Sequence, residues 1–152
     1  MNNKYLWIFG LTALGLYINQ QYKRGNEIMF KILKIKPVLS ELSYYGFEKL
    51  PLEAKIQLTN PTDLTVKINS LNVQFFYKGV NLTTAFKTDQ IEIKAKGQTI
   101  LNLTLLIDIL NLSANVKDLI KAFLEGSGAE IKLKGFIDTN LGRFVISENY
   151  KF

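Results

Sequence analysis

The tripeptide Asn60-Pro61-Thr62, inside the stretch "LTNPTDLTV" from Leu58 to Val66, is the one short motif whose residue types invite a chemical reading. A threonine hydroxyl becomes a nucleophile only when a neighbouring base takes its proton. The chain holds neither histidine nor cysteine, which removes the usual base near neutrality, thiolate chemistry, Cys/His zinc sites and disulfides. Its carboxylates stand singly, without DxD, ExxE or EF-hand spacing, so paired acid–base and metal chemistry have no spacing to rest on. Gly126-Ser127-Gly128 follows a helical pattern, whereas a phosphate cradle must precede one. No catalytic residue, metal ligand or cofactor is therefore expected, and the protein is not read as an enzyme.

The same tripeptide has a backbone reading. Pro61 has no amide hydrogen to give to a ladder and holds Asn60 in extended geometry, so a strand arriving from Leu52 must lose pairing there. The Asn60 side chain can accept from amides two or three residues on, and Thr62 and Asp63 can reinforce the same turn. Asn60, Pro61 and Thr62 thus read as a structural corner. Pro61 also blocks Asn60 as a glycosylation acceptor. The triplets starting at Asn81, Asn102 and Asn111 fit that acceptor pattern by chance in an Asn-rich chain.

The elements that would position such a corner are β-strands. Leu52, Ala54, Ile56 and Leu58 alternate with Glu53, Lys55, Gln57 and Thr59, the pattern of a half-buried strand. Leu71, Val73, Phe75 and Tyr77 repeat it and run into a turn, "YKGVN", in which Gly79 suits an unusual backbone angle. Leu101, Leu103, Leu105 and Ile107 alternate again, and beyond Leu105 the run is apolar on both faces except at Asp108. Its expected cover is the one amphipathic helix, "NVKDLIKAFLEG", capped by Ser113 or Asn115. A first strand starts near Phe30 with Pro37 at an edge or bend, and a final hairpin turns between Asn140 and Gly142. The loop "SYYGFEKLP", Ser43 to Pro51, carries three aromatic rings, expected to plug one end of the core, with a partner site as the second reading. Short strands with a turn about every ten residues predict a mainly β fold, an antiparallel β-sandwich of fibronectin or immunoglobulin type with one short helix.

The 152 residues, 47% hydrophobic and 21% charged, suffice for one domain and a small appendage. The appendage is amino-terminal. Tyr5 to Ile18, "YLWIFGLTALGLYI", contains no charge. Fourteen helical residues span roughly 21 Å against a hydrocarbon core of about 30 Å, and Lys4, Lys23 and Arg24 can snorkel to extend the span. Tyr5, Trp7 and Tyr17 suit the headgroup layer, while Leu6, Ile8, Phe9, Leu11, Leu14, Leu16 and Ile18 suit the lipid interior. Residues 1–25 are read as an uncleaved transmembrane anchor and 26–152 as the β domain. A signal peptide is less favoured because no small-residue cleavage site follows, and a core helix because the segment is apolar all round. The heavier basic load follows the anchor, which leans toward a cytoplasmic domain by a margin of a few charges; the side stays open.

The formal charge is +6. An anionic partner is one explanation, yet the basic residues are spread along the chain and only Lys31, Lys34 and Lys36 approach a run, so nucleic acid is not an expected partner.

The stretches "LEAKIQLTNPTDLTVKINSLNVQFFYKGVNL", "IEIKAKGQTILNLTLLIDI" and "IKLKGFID" resemble the type 2 late-embryogenesis-abundant domain, also called the water-stress and hypersensitive-response domain. Asn60-Pro61, the Tyr77-Lys78-Gly79 turn and "KAKG" before a long apolar strand carry the likeness, which extends from about Lys36 to the end. The resemblance implies a fibronectin-like sandwich with one helix, no catalytic residues, and a role in stress protection or the cell envelope. Many bacterial relatives carry a lipobox cysteine; this chain has none, and an uncleaved helix would replace that anchor. The expected function is a membrane-anchored, non-catalytic protein that contacts the bilayer through its first helix and presents a surface to a protein partner, at a bacterial or archaeal envelope. A minor structural protein of a virus or phage particle is the first alternative and an apolar-ligand carrier the second.

Overall fold

Alternating apolar residues become strands here because the inward set can be buried as one face. The computed structural model describes residues 28–110 and 114–151. In order these form β1 (Met29–Pro37), β2 (Lys49–Thr59), β3 (Val66–Tyr77), β4 (Val80–Lys87), β5 (Ile91–Ile93), β6 (Gln98–Asp108), α1 (Ala114–Glu125), β7 (Glu130–Thr139) and β8 (Gly142–Lys151). The fold is mainly β, with antiparallel pairing throughout and one short helix. One sheet has the order β1-β2-β6; the other runs β4-β3-β7-β8, with β5 also against β3. No ladder joins the two sheets among the described residues, so they do not close into a barrel.

Both sheets feed one apolar cluster. Leu52, Ala54, Ile56 and Leu58 of β2 are fully buried, as are Val73 and Phe75 of β3 and Ile131 and Leu133 of β7. Each such leucine or isoleucine contributes about 1.5–3 kcal/mol by leaving water. The β7 backbone approaches β3 so closely that a Cβ on Gly135 would lie 2.0 Å from the Asn72 carbonyl oxygen, which only glycine permits. At the β3–β4 hairpin Lys78 and Gly79 have φ of 48° and 81°, the paired left-handed angles of a type I′ turn that matches the strand twist.

Helix α1 packs mainly against β3, not over the outer side of β6 where the sequence reading put it. Leu119 is fully buried and Ala122 nearly so, because the helix closes the end of the core where β3 finishes. Asn115 falls within the helix as its second residue, and Ser113 lies outside the described residues. Among the described residues no helix is long and apolar enough to cross a membrane. The anchor expected over residues 1–25, from Tyr5 to Ile18, lies outside them.

Candidate functional site

At the end of β2, Asn60 is fully buried and polar, a placement that costs free energy unless every polar atom finds a partner. Its amide nitrogen donates toward the carbonyls of Leu64 at 2.7 Å, Ile93 at 3.1 Å and Lys94 at 3.1 Å. Two hydrogens thus serve three acceptors. Its oxygen accepts from the Thr62 amide at 3.0 Å and the Thr62 hydroxyl at 2.7 Å. This arrangement fixes the amide's orientation, since the flipped form would point its oxygen at three carbonyls. The Thr62 hydroxyl, also fully buried, accepts from the Leu64 amide at 3.2 Å, so the turn itself occupies it.

The network's partner is a second turn. Asn60 N–H donates to Gly97 O at 2.9 Å and Lys96 N–H to Thr62 O at 3.0 Å, while the Lys96 ammonium meets Pro61 O at 2.7 Å and Asp63 at 3.2 Å. Asn140 ties the β7–β8 turn to the same end: its backbone N–H donates to Lys67 O at 3.0 Å, and its side-chain oxygen accepts from the Lys67 amide at 2.8 Å. The sequence reading named Asn60, Pro61, Thr62 and Gly79 as turn residues and "KAKG", residues 94–97, as part of the family likeness, but not the docking of one turn on the other. No local signal marks a contact between residues more than thirty apart.

The opposite end is built differently. After β1 a 3-10 turn, Leu39–Glu41, leads into the aromatic loop, tied back by Val38 N–H to Pro51 O at 2.9 Å and Ile109 N–H to Glu48 O at 2.7 Å. Leu42 packs on the core. Two of the three rings expected to plug the core face solvent instead, Tyr44 at 83% exposed and Phe47 at 66%, while Tyr45 is half-buried. The cause is backbone geometry. Gly46 and Phe47 adopt φ of 66° and 60°, and Phe47 N–H bonds Leu42 O at 3.0 Å, a tight reversal that turns the loop outward. A bulky residue held left-handed costs on the order of 1–3 kcal/mol, strain of the kind that gathers at binding sites. Tyr44 and Tyr45 meet edge to face at 5.0 Å, and Leu39 at the start of the same segment is also exposed.

Two surface carboxylates ionise more readily than usual. The Lys36 ammonium, 2.8 Å away, holds Glu53 below the ordinary carboxylate range, and Arg143, followed by Ser70, does so for Asp138. The outer face of the five-stranded sheet also gathers aromatic and basic residues that the linear reading kept apart. Arg143 stacks 4.1 Å from the centre of Phe136 and Lys134 lies 5.6 Å from that of Phe76, so the protein's own cations cover these rings. Among the described residues no cluster of acidic groups could hold a metal ion.

The fold has a counterpart among solved structures. The solution structure of an Arabidopsis thaliana protein is 16% identical with a TM-score of 0.57, covering 82% of this chain and 81% of that one. A crystal structure from Archaeoglobus fulgidus is 12% identical with a TM-score of 0.43 and covers 80% and 98%. At 16% identity the likeness to the Arabidopsis structure concerns the fold alone, and nothing is drawn from the Archaeoglobus match. No curated protein matches the sequence. The family model described as "Late embryogenesis abundant protein" matches residues 55–148, from within β2 to β8, which takes in the Asn60 turn and leaves out the aromatic loop. The chain belongs to the late embryogenesis abundant family.

Proposed function

We propose that this protein is a membrane-anchored, non-catalytic β-sandwich that displays its aromatic loop to a protein partner in a stress-related setting. Family membership supports the stress-related, non-enzymatic part of this reading. Two sheets sharing one apolar cluster support the sandwich, with Tyr5 to Ile18 as the anchor and the bilayer as its first partner.

The single observation that carries the display role is directional. Met29 pairs with Thr59 and Pro37 with Leu52, so the chain enters the domain beside Asn60 and reaches the aromatic loop at the far end of β2. Eleven strand residues separate those ends by roughly 37 Å. An anchor preceding β1 would hold the knitted end toward the lipid and Tyr44 and Phe47 away from it.

The test uses the full chain in its native membrane. Alkaline extraction should leave it in the pellet, and deletion of residues 1–25 should release it. Crosslinking should recover a protein with the wild type that is lost in a Tyr44→Ser, Phe47→Ser double variant. Release of the full chain by alkali, or a crosslinked protein unchanged in the double variant, would refute the anchor or the display role respectively.

A further inference from the structure

A strand at the edge of a sheet exposes unpaired N–H and C=O groups that take up another strand unless the sequence guards them. Among the described residues four long strands end a sheet: β1 and β6 in one, β4 and β8 in the other. Strand β1 carries Lys31, Lys34 and Lys36, a bulge between Ile32 and Lys34, and Pro37. Strand β8 carries Arg143, Glu148 and Lys151. Strand β4 is broken by a register shift opposite Phe75 and Phe76.

Strand β6 has none of these devices. Its eleven pairs with β2 run without a shift, and from Gln98 to Ile107 it holds no charge and no proline. Strand β4 passes alongside without pairing, and a cleft of about 550 Å³ stays open between Thr84–Asp89 and Asn102–Thr104. Lys87 and Asp89 in its wall neutralise each other at 2.9 Å. An open cleft beside an unguarded ladder selects an uncharged strand.

We propose that the occupant is β6 of a second copy of this chain, paired antiparallel about a two-fold axis at Asn102. The segment "QTILNLTLLI" is itself the uncharged, alternating strand that the edge demands, and an isologous pair presents it to itself. Two molecules of charge +6 repel, so a self-contact must avoid basic residues; of the four edges only this one does. Pairing about Asn102 sets Ile100, 53% exposed in the single chain, opposite Thr104 of the second copy and covers it. The three-stranded sheets then merge into one of six strands.

The absence of cysteine makes the test specific. In the full chain in mild detergent, Asn102→Cys should form an intermolecular disulfide on mild oxidation, because opposed Cβ atoms lie about 4.5–5.5 Å apart. Ser147→Cys on β8 should stay uncoupled. Sedimentation should give a dimer mass, and Thr104→Lys, which changes an exposed position only, should raise the dissociation constant about tenfold or more with far-UV circular dichroism unchanged. Should Thr104→Lys fail to fold, Asn102→Lys tests the same seam. A monomer mass at the highest soluble concentration, or equal coupling at Asn102 and Ser147, overturns the proposal.

Discussion

The two ends of the strands close the same core by opposite means. At one end a buried asparagine and threonine, Asn60 and Thr62, satisfy the backbone of two turns. At the other, Tyr44 and Phe47 stand in solvent on a loop whose Phe47 holds a left-handed angle. The first lies within the stretch matched to the family and the second precedes it. The difference teaches that a connection can be selected for holding the fold or for what it exposes, and that burial with satisfied polar groups tells the two apart.

That contrast breaks if the knitted end tolerates change. The largest effect is expected for Asn60→Asp, which aims a carboxylate at three carbonyls and should cost about 3 kcal/mol or more, read as a lower urea midpoint. A loss under about 1 kcal/mol would mean that the network contributes little. Thr62→Val keeps the shape and removes the hydroxyl that the Leu64 amide and Asn60 share, so a loss of about 1–2 kcal/mol is expected in the same assay.

Acidification probes both ends together. Glu53 lies beside the aromatic end and Asp138 beside the knitted end, and both carboxyls ionise more readily folded than unfolded. In the window between the two values the unfolded chain binds more protons. Their stabilisation is complete above the ordinary carboxylate pKa near 4 and falls as pH drops through the lower folded values. Urea midpoints measured from neutral pH downward should show this fall, and Asp138→Asn should flatten it. An unchanged slope would leave the Arg143 contact without energetic weight.

The smallest effects are expected at the aromatic end. Tyr44→Ser should change stability by no more than about 0.5 kcal/mol. Phe47→Gly removes left-handed strain and adds unfolded-chain entropy, terms of similar size, so a net change below about 1 kcal/mol is expected by urea titration. A large loss at either position would make the loop a structural plug after all.

Much of this was legible in the residues themselves. The period-two runs through Leu52–Leu58 and Leu71–Tyr77 identify strands because side chains alternate sides on any pleated backbone. The turn at Asn60 is local chemistry, since Thr62 N–H reaches the side chain two residues back. The placement of the aromatic loop was misread for a physical reason: composition shows that rings are present, but whether they turn inward depends on the Gly46-Phe47 backbone.

The amino-acid order by itself determined the strands, the helix and the absence of His and Cys chemistry, because these follow from side-chain identity and short-range spacing. Only the tertiary structure decided that residues 94–97 dock on the Asn60 turn, that α1 packs on β3, and which strands lie at sheet edges. Those outcomes depend on pairings between residues far apart in the chain, and such pairings are chosen by the packing of the whole core.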